Sequence, residues 1–317
     1  MKRLIAKSFS VFGGDRLVWR LQPKRLRILC YHGVVEDRVA GQDWVPHYFV
    51  TASAFEQQLQ YLQQHAQVLP LSESVTRLRD GSLPPRCVSL TFDDGYANNL
   101  FLAYPLLRKY RMPATIFLSS AYIESGELFP FVKLHLIRQS RQPERESPVR
   151  YKTDPLDVVM QRADPCWPDV EKNLTRDQRE AFRPMTIGEL QAANAHLIEF
   201  GAHSHTHCIL RNESEERRRQ EIRTSVSKVK EWTGRPVRLF SYPNGERGDF
   251  GEIDKQELRA SGIEAAVTGI GGTNDSRTEL LELRRYPVGM FHDSAGFRVE
   301  VAGIRAAVLA ATGGFGS

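Results

Sequence analysis

The chain has 317 residues, of which 41% are hydrophobic and 26% charged, and a formal net charge of +5. This composition excludes a wholly disordered polymer and supplies apolar material for one large α/β domain or two small ones. The mild basic excess suits an anionic glycan, a lipid phosphate, a membrane surface or an ordinary soluble protein; no Lys/Arg block interleaved with aromatics points to nucleic acid.

The first 25 residues form a basic segment. Lys7 interrupts its apolar stretch and no small-residue cleavage site follows, so it does not read as a secretory signal. No run approaches the roughly 20 apolar residues of a membrane span. The expectation is a cytoplasmic protein. Its opening segment, with Leu4, Phe9, Phe12, Val18 and Trp19, either makes peripheral contact with a membrane surface or packs on its own domain. Cys30, Cys87, Cys166 and Cys208 form no C-x-x-C pair, the usage of a reducing compartment.

From residue 26 onward the chain reads as a single domain, 26–317. Arg27–Tyr31 is a first buried strand, Ala54–Ala66 a helix by its apolar spacing, and Cys87–Phe92 a second strand. Asn98–Tyr110 is a helix with Pro105 near its middle as a candidate kink. Ala114–Leu118 is a third strand. Between about 128 and 184 the rhythm breaks into a stretch rich in Arg, Pro, Asp and Glu, read as an insertion of short helices and loops that is either a substrate wall or a solvated decoration. The pattern resumes with helix Thr186–His196, strand Leu197–Ala202, helix Glu213–Trp232, strand Val237–Tyr242, helix Lys255–Ser261 and strand Glu264–Thr268; the tail Thr312–Ser317 reads as frayed. Strands alternating with helices imply a parallel sheet covered by helices, either closed as a barrel or doubly wound.

Four short motifs follow strands, where parallel α/β folds assemble their sites. In Thr91-Phe92-Asp93-Asp94-Gly95, two carboxylates sit together after an apolar run. One can bind a metal while the other takes a proton, or both can favour a helix dipole. Gly201-Ala202-His203-Ser204-His205-Thr206-His207 carries three imidazoles, a set that suits zinc and related ions. If the strand continues, all three share a face; if the chain turns, His203 and His207 converge and His205 points elsewhere. Phe240-Ser241-Tyr242-Pro243-Asn244-Gly245 ends in a turn whose main-chain N–H groups can meet an oxyanion or simply turn the chain. Tyr31-His32-Gly33 ends the first strand.

These motifs together resemble the polysaccharide deacetylase family (NodB homology, carbohydrate esterase family 4), over about residues 27–288. TFDDG followed by a helix and PATIFL looks like the family's first motif and next strand, HSHTH like its H-[ST]-x-x-H motif, and FSYPNG like its third. The resemblance implies a distorted (β/α) barrel with fewer than eight strands and a divalent ion, most plausibly zinc. Asp93 would be the general base, and Asp94, His203 and His207 the metal ligands, with His205 at a variable position. A main-chain N–H near Asn244 would serve the oxyanion. The chain departs from the family where many members carry an Arg in the third motif that orients the base; here Ser241 stands. No acidic-Trp fourth motif is evident, and Phe291-His292-Asp293 only superficially resembles the late motif that supplies the general acid. RRYPVGMF looks instead like the late segment of the subgroup that includes poly-β-1,6-N-acetylglucosamine deacetylases, whose early YH motif supplies that acid. His32 is then the candidate acid and His292 the runner-up.

The implied activity is hydrolysis of N-acetyl groups on an amino sugar of a glycan or glycan precursor. The competing expectations are a small-molecule C–N hydrolase similar to allantoinase and a non-catalytic glycan-binding member.

Overall fold

The structure, a computed structural model, describes residues 24–140, 152–290 and 294–302. Residues 1–23, His292 and the tail Thr312–Ser317 lie outside them.

Ten strands are described: β1 (Arg27–Tyr31), β2 (Val34–Val35), β3 (Val50–Thr51), β4 (Gln67–Val68), β5 (Cys87–Phe92), β6 (Ala114–Leu118), β7 (Ile198–Ala202), β8 (Leu239–Ser241), β9 (Ala265–Val267) and β10 (Tyr286–Pro287). The main sheet runs β10-β1-β5-β6-β7-β8-β9, with β4 added beside β5, and every pairing is parallel. A parallel bridge between Val267 and Leu283 links β9 to the segment entering β10, so the curled sheet meets itself. The fold is the distorted (β/α) barrel expected.

Side-chain alternation sorts these strands into two surfaces. Leu29, Tyr31, Leu90, Phe92, Ile116, Leu118, Ala202 and Phe240 join a core beneath the covering helices. Ile28, Phe117, Leu239, Ala265, Val267 and Leu283 fill a second core inside the curl. The same inward alternation, continued one step beyond the apolar layer, carries Cys30, Thr91, Asp93, His203, Ser241 and Arg285. Gly201 leaves room for Phe117: a Cβ there would stand 2.5 Å from the ring. The interior is therefore plugged below and polar above.

Several expected elements shift at their ends. The long helix is Glu215–Thr233, because Ser214 accepts the Arg217 N–H and acts as its N-cap. The helix after β5 changes type beside Pro105: Asn99–Ala103 is π-helical and runs on, through helical backbone at Ala103 and Tyr104, into the α-helix Tyr104–Tyr110. The insertion holds helices Pro130–Ser140, Leu156–Ala163, Trp167–Glu171 and Arg176–Phe182. Its Phe129, Val132, Trp167 and Phe182 pack with Val35, Phe49 and Tyr96 in a third core, so it is built into the domain and is not a solvated decoration. Among the described residues no helix is long and apolar enough to cross a membrane.

Candidate active site

The ladder extends one residue past the strands and pins the motifs at the rim. The Asp93 N–H donates to the Tyr31 carbonyl at 2.9 Å and the His203 N–H to the Leu118 carbonyl at 2.9 Å. Beyond those anchors the chain turns sharply. Asp94, Ser204, His207 and Asn244 all have positive φ, four of the six described non-glycine residues that do. Such backbone costs about 1–3 kcal/mol per residue and gathers where geometry serves a site. Gly95 (φ +88°) completes the turn after the acids; a Cβ there would also press to 2.8 Å from Leu118.

The turn brings Asp94, His203 and His207 together. His203 Nε2 lies 3.4 Å and His207 Nε2 3.1 Å from Asp94 Oδ1. His203 Nδ1 is 2.7 Å from the Ser241 carbonyl, which can only accept; Nδ1 therefore carries a proton and Nε2 faces the carboxylate. An imidazole lone pair and a carboxylate at this distance repel unless a proton or a cation lies between them. Asp94 Oδ2 is buried and, among the described residues, accepts no hydrogen bond. Burial pushes the Asp94 carboxyl upward, but donation from His203 and His207 outweighs it and holds the group well below the usual range. These donors suit a two-histidine, one-carboxylate site for a divalent ion.

His205 does not join them. Its Nδ1 is 2.8 Å from Ser120 Oγ and its carbonyl accepts the Ala121 N–H at 2.9 Å, so the turning chain, not the continued strand, describes this loop.

Asp93 has a different environment. Arg285 donates from its two terminal nitrogens to Oδ1 at 2.7 Å and Oδ2 at 2.6 Å. Oδ2 also accepts from Ser241 Oγ at 3.2 Å and stands 3.5 Å from Cys30 Sγ. Oδ2 is thus crowded with donors, whereas Oδ1 accepts from Arg285 alone among the described side chains and is the oxygen left to take a proton. Burial raises the Asp93 carboxyl, but the Arg285 charge and then His203 bring it down to about 2. Arg285 itself is fixed by donation to the Thr268 carbonyl at 2.8 Å and to Ser241 Oγ at 3.1 Å. Sequence reasoning singled out RRYPVGMF but gave Arg285 no role. The arginine lacking from the Ser241 position arrives from the residue just before β10 and rests on that same serine.

His32, Cys30 and Asp93 also have their ligand atoms within 4.8 Å of one another. The guanidinium already neutralising Asp93 makes this second group a poor cation site. His32 Nδ1 is buried with no hydrogen-bond partner among the described residues, and its ring meets the edge of Tyr48 at 5.1 Å. The Asn244 side chain donates to Asp249 at 2.6 Å and holds the turn at the end of β8. From the insertion, Phe131 packs on the His207 ring at 4.6 Å, giving the Asp94 and histidine side of the site an aromatic wall.

Residues 80–265 match the polysaccharide deacetylase family model, more than half of the chain, and the chain belongs to that family. It is 34% identical over 107 residues to the poly-β-1,6-N-acetyl-D-glucosamine N-deacetylase of Staphylococcus epidermidis, a match spanning 33% of this chain and 36% of that protein. The chain thus covers about a third of the curated relatives it matches. Two solved structures share the fold. Streptococcus pyogenes deacetylase PplD in complex with acetate has a TM-score of 0.64 at 18% identity, covering 88% of this chain and 99% of that one. IcaB from Ammonifex degensii has a TM-score of 0.58 at 20% identity, covering 88% and 97%.

Proposed function

We propose that this protein is a metal-dependent hydrolase that removes N-acetyl groups from an amino sugar of a glycan or glycan precursor. The observation that carries this reading is the division of labour between adjacent acids: Asp94 faces two imidazoles, and Asp93 is locked to Arg285. Family membership and the relative named as a poly-β-1,6-N-acetyl-D-glucosamine N-deacetylase support the substrate class.

Asp94, His203 and His207 would hold a divalent ion, with zinc the first choice; when bound it would polarise the acetyl carbonyl and make water more acidic. Asp93 Oδ1 takes a proton from the attacking water as its oxygen bonds to the acetyl carbon. The main-chain N–H near Asn244 stabilises the oxyanion. As the C–N bond breaks, His32 gives a proton to the departing nitrogen. The products are acetate and a free amine.

Acetate release from a panel of N-acetylated glycans and small amides, with and without chelator, tests this reading. Release from acetylated amino sugars that chelator stops and zinc restores is the expected result. Release indifferent to chelator, or confined to small amides, overturns it.

A further inference from the structure

His207 stands on a loop that the backbone alone does not favour: both Ser204 and His207 have φ of +55°. Such a conformation persists where the surroundings over-determine it. Here they converge on Thr206, the residue before the histidine. Glu221, on helix Glu215–Thr233 and only 2% exposed, accepts the Thr206 N–H at 2.7 Å and the Thr206 hydroxyl at 2.8 Å. From the other side Tyr122 donates its hydroxyl to the Thr206 carbonyl at 3.1 Å. Thr206 is thereby held at its N–H, its carbonyl and its side chain.

A buried carboxylate is costly unless donors surround it. Glu221 has a third one, Arg217 Nε at 3.1 Å, one helical turn away. The helix therefore spends a compensated charge on a single neighbouring residue, and that residue fixes the approach of His207 to Asp94.

We propose that Glu221 is a positioning residue for the metal centre, acting through Thr206 on His207. The inference rests on the metal reading above. With the carboxylate gone, the two strained residues relax and the His207 ring leaves its place opposite Asp94 Oδ1, so the ion is held less tightly. Glutamine keeps the shape and one acceptor oxygen and should restore much of the affinity.

The test is zinc affinity of the metal-free full chain, measured by competition with a chromophoric chelator, alongside thermal melting of the same samples. Glu221→Ala is expected to weaken zinc by roughly 10- to 100-fold, as loss of a ligand-orienting partner does. Glu221→Gln should recover most of that loss, and Thr206→Val, which leaves the helix untouched, should weaken zinc by a smaller factor. Asp254→Asn supplies the contrast: it breaks a buried pair with Arg218 on the same helix and should lower melting without altering zinc affinity. Wild-type affinity in both Glu221→Ala and Thr206→Val, or an equal loss in Asp254→Asn, overturns the inference. Failure of the wild-type chain to bind zinc overturns the metal reading itself.

Discussion

Arg285 and Asp93 form a two-pronged ion pair inside the barrel mouth, the two terminal guanidinium nitrogens donating to different carboxylate oxygens. Replacing the arginine by methionine leaves burial to act on Asp93 with much less opposition, and its carboxyl should rise. The acid limb of kcat/KM should then move to higher pH and turnover at neutral pH should fall. Removing one member of a buried pair also costs about 3–5 kcal/mol of stability. Arg285→Lys returns the charge without the fork and should recover only part of the effect. An acid limb that stays in place in Arg285→Met would remove Arg285 from the account of the base.

Asp93→Asn should separate chemistry from metal binding. The variant keeps Asp94, His203 and His207 and should retain zinc, while turnover falls on the order of 100- to 10,000-fold. Single-substrate kinetics with metal analysis of the same preparation checks this. Full acetate release with zinc bound counts against the assignment.

The histidine loop offers a three-way comparison. His203→Ala and His207→Ala should lose zinc, whereas His205→Ala, whose ring is engaged by Ser120, should bind it nearly as tightly as wild type. Equal losses across the three would restore the continued-strand geometry.

His32→Gln should reduce turnover most for substrates with poor leaving groups. An acetyl ester of a phenol, which needs no proton on departure, should be spared. His292→Ala is the companion variant; if it alone shows that dependence on the leaving group, the role passes to His292.

Acid should unfold the metal-free protein partly through Asp93. Its folded carboxyl is held at about 2, below its ordinary 3.8, so its contribution is present above pH 3.8 and disappears as pH falls towards 2. Asp93→Asn should be less stable than wild type at neutral pH, since Arg285 is left buried without its partner, and the two melting curves should approach each other between pH 4 and 2. A gap that persists to pH 2 would show that the pair is not the source.

Much of this site was legible because each motif ends an apolar run long enough to read as a strand. TFDDG and HSHTH announce their donors, and the strands before them announce the rim. What stayed hidden was carried by elements too short to leave a pattern. β10 has two residues, and only its place beside β1 explains why Arg285 meets Asp93. The fate of His205 depended on a bond to Ser120, which belongs to another βα loop. The insertion betrayed itself by composition, but nothing in its polar sequence says that Phe131 packs on His207. Pro105 lies where the helix changes from π to α, a change that one residue in an apolar pattern does not reveal.

The parallel bond of β10 to β1 joins Tyr286 to Leu29 and sets a schedule for biogenesis. In the chain β1, β5, β6 and β7 precede β10, so the strands that place Asp94, His203 and His207 can pair in order before β10 is made. The residues from Leu283 to Val288 follow all of these strands and carry the guanidinium that meets Asp93. Contacts between such distant parts of a chain form slowly. A nascent chain halted before Leu283 would thus carry the metal-ligand side chains without the Arg285 fork that holds Asp93 ready, and activity would arrive with the final closure of the ring.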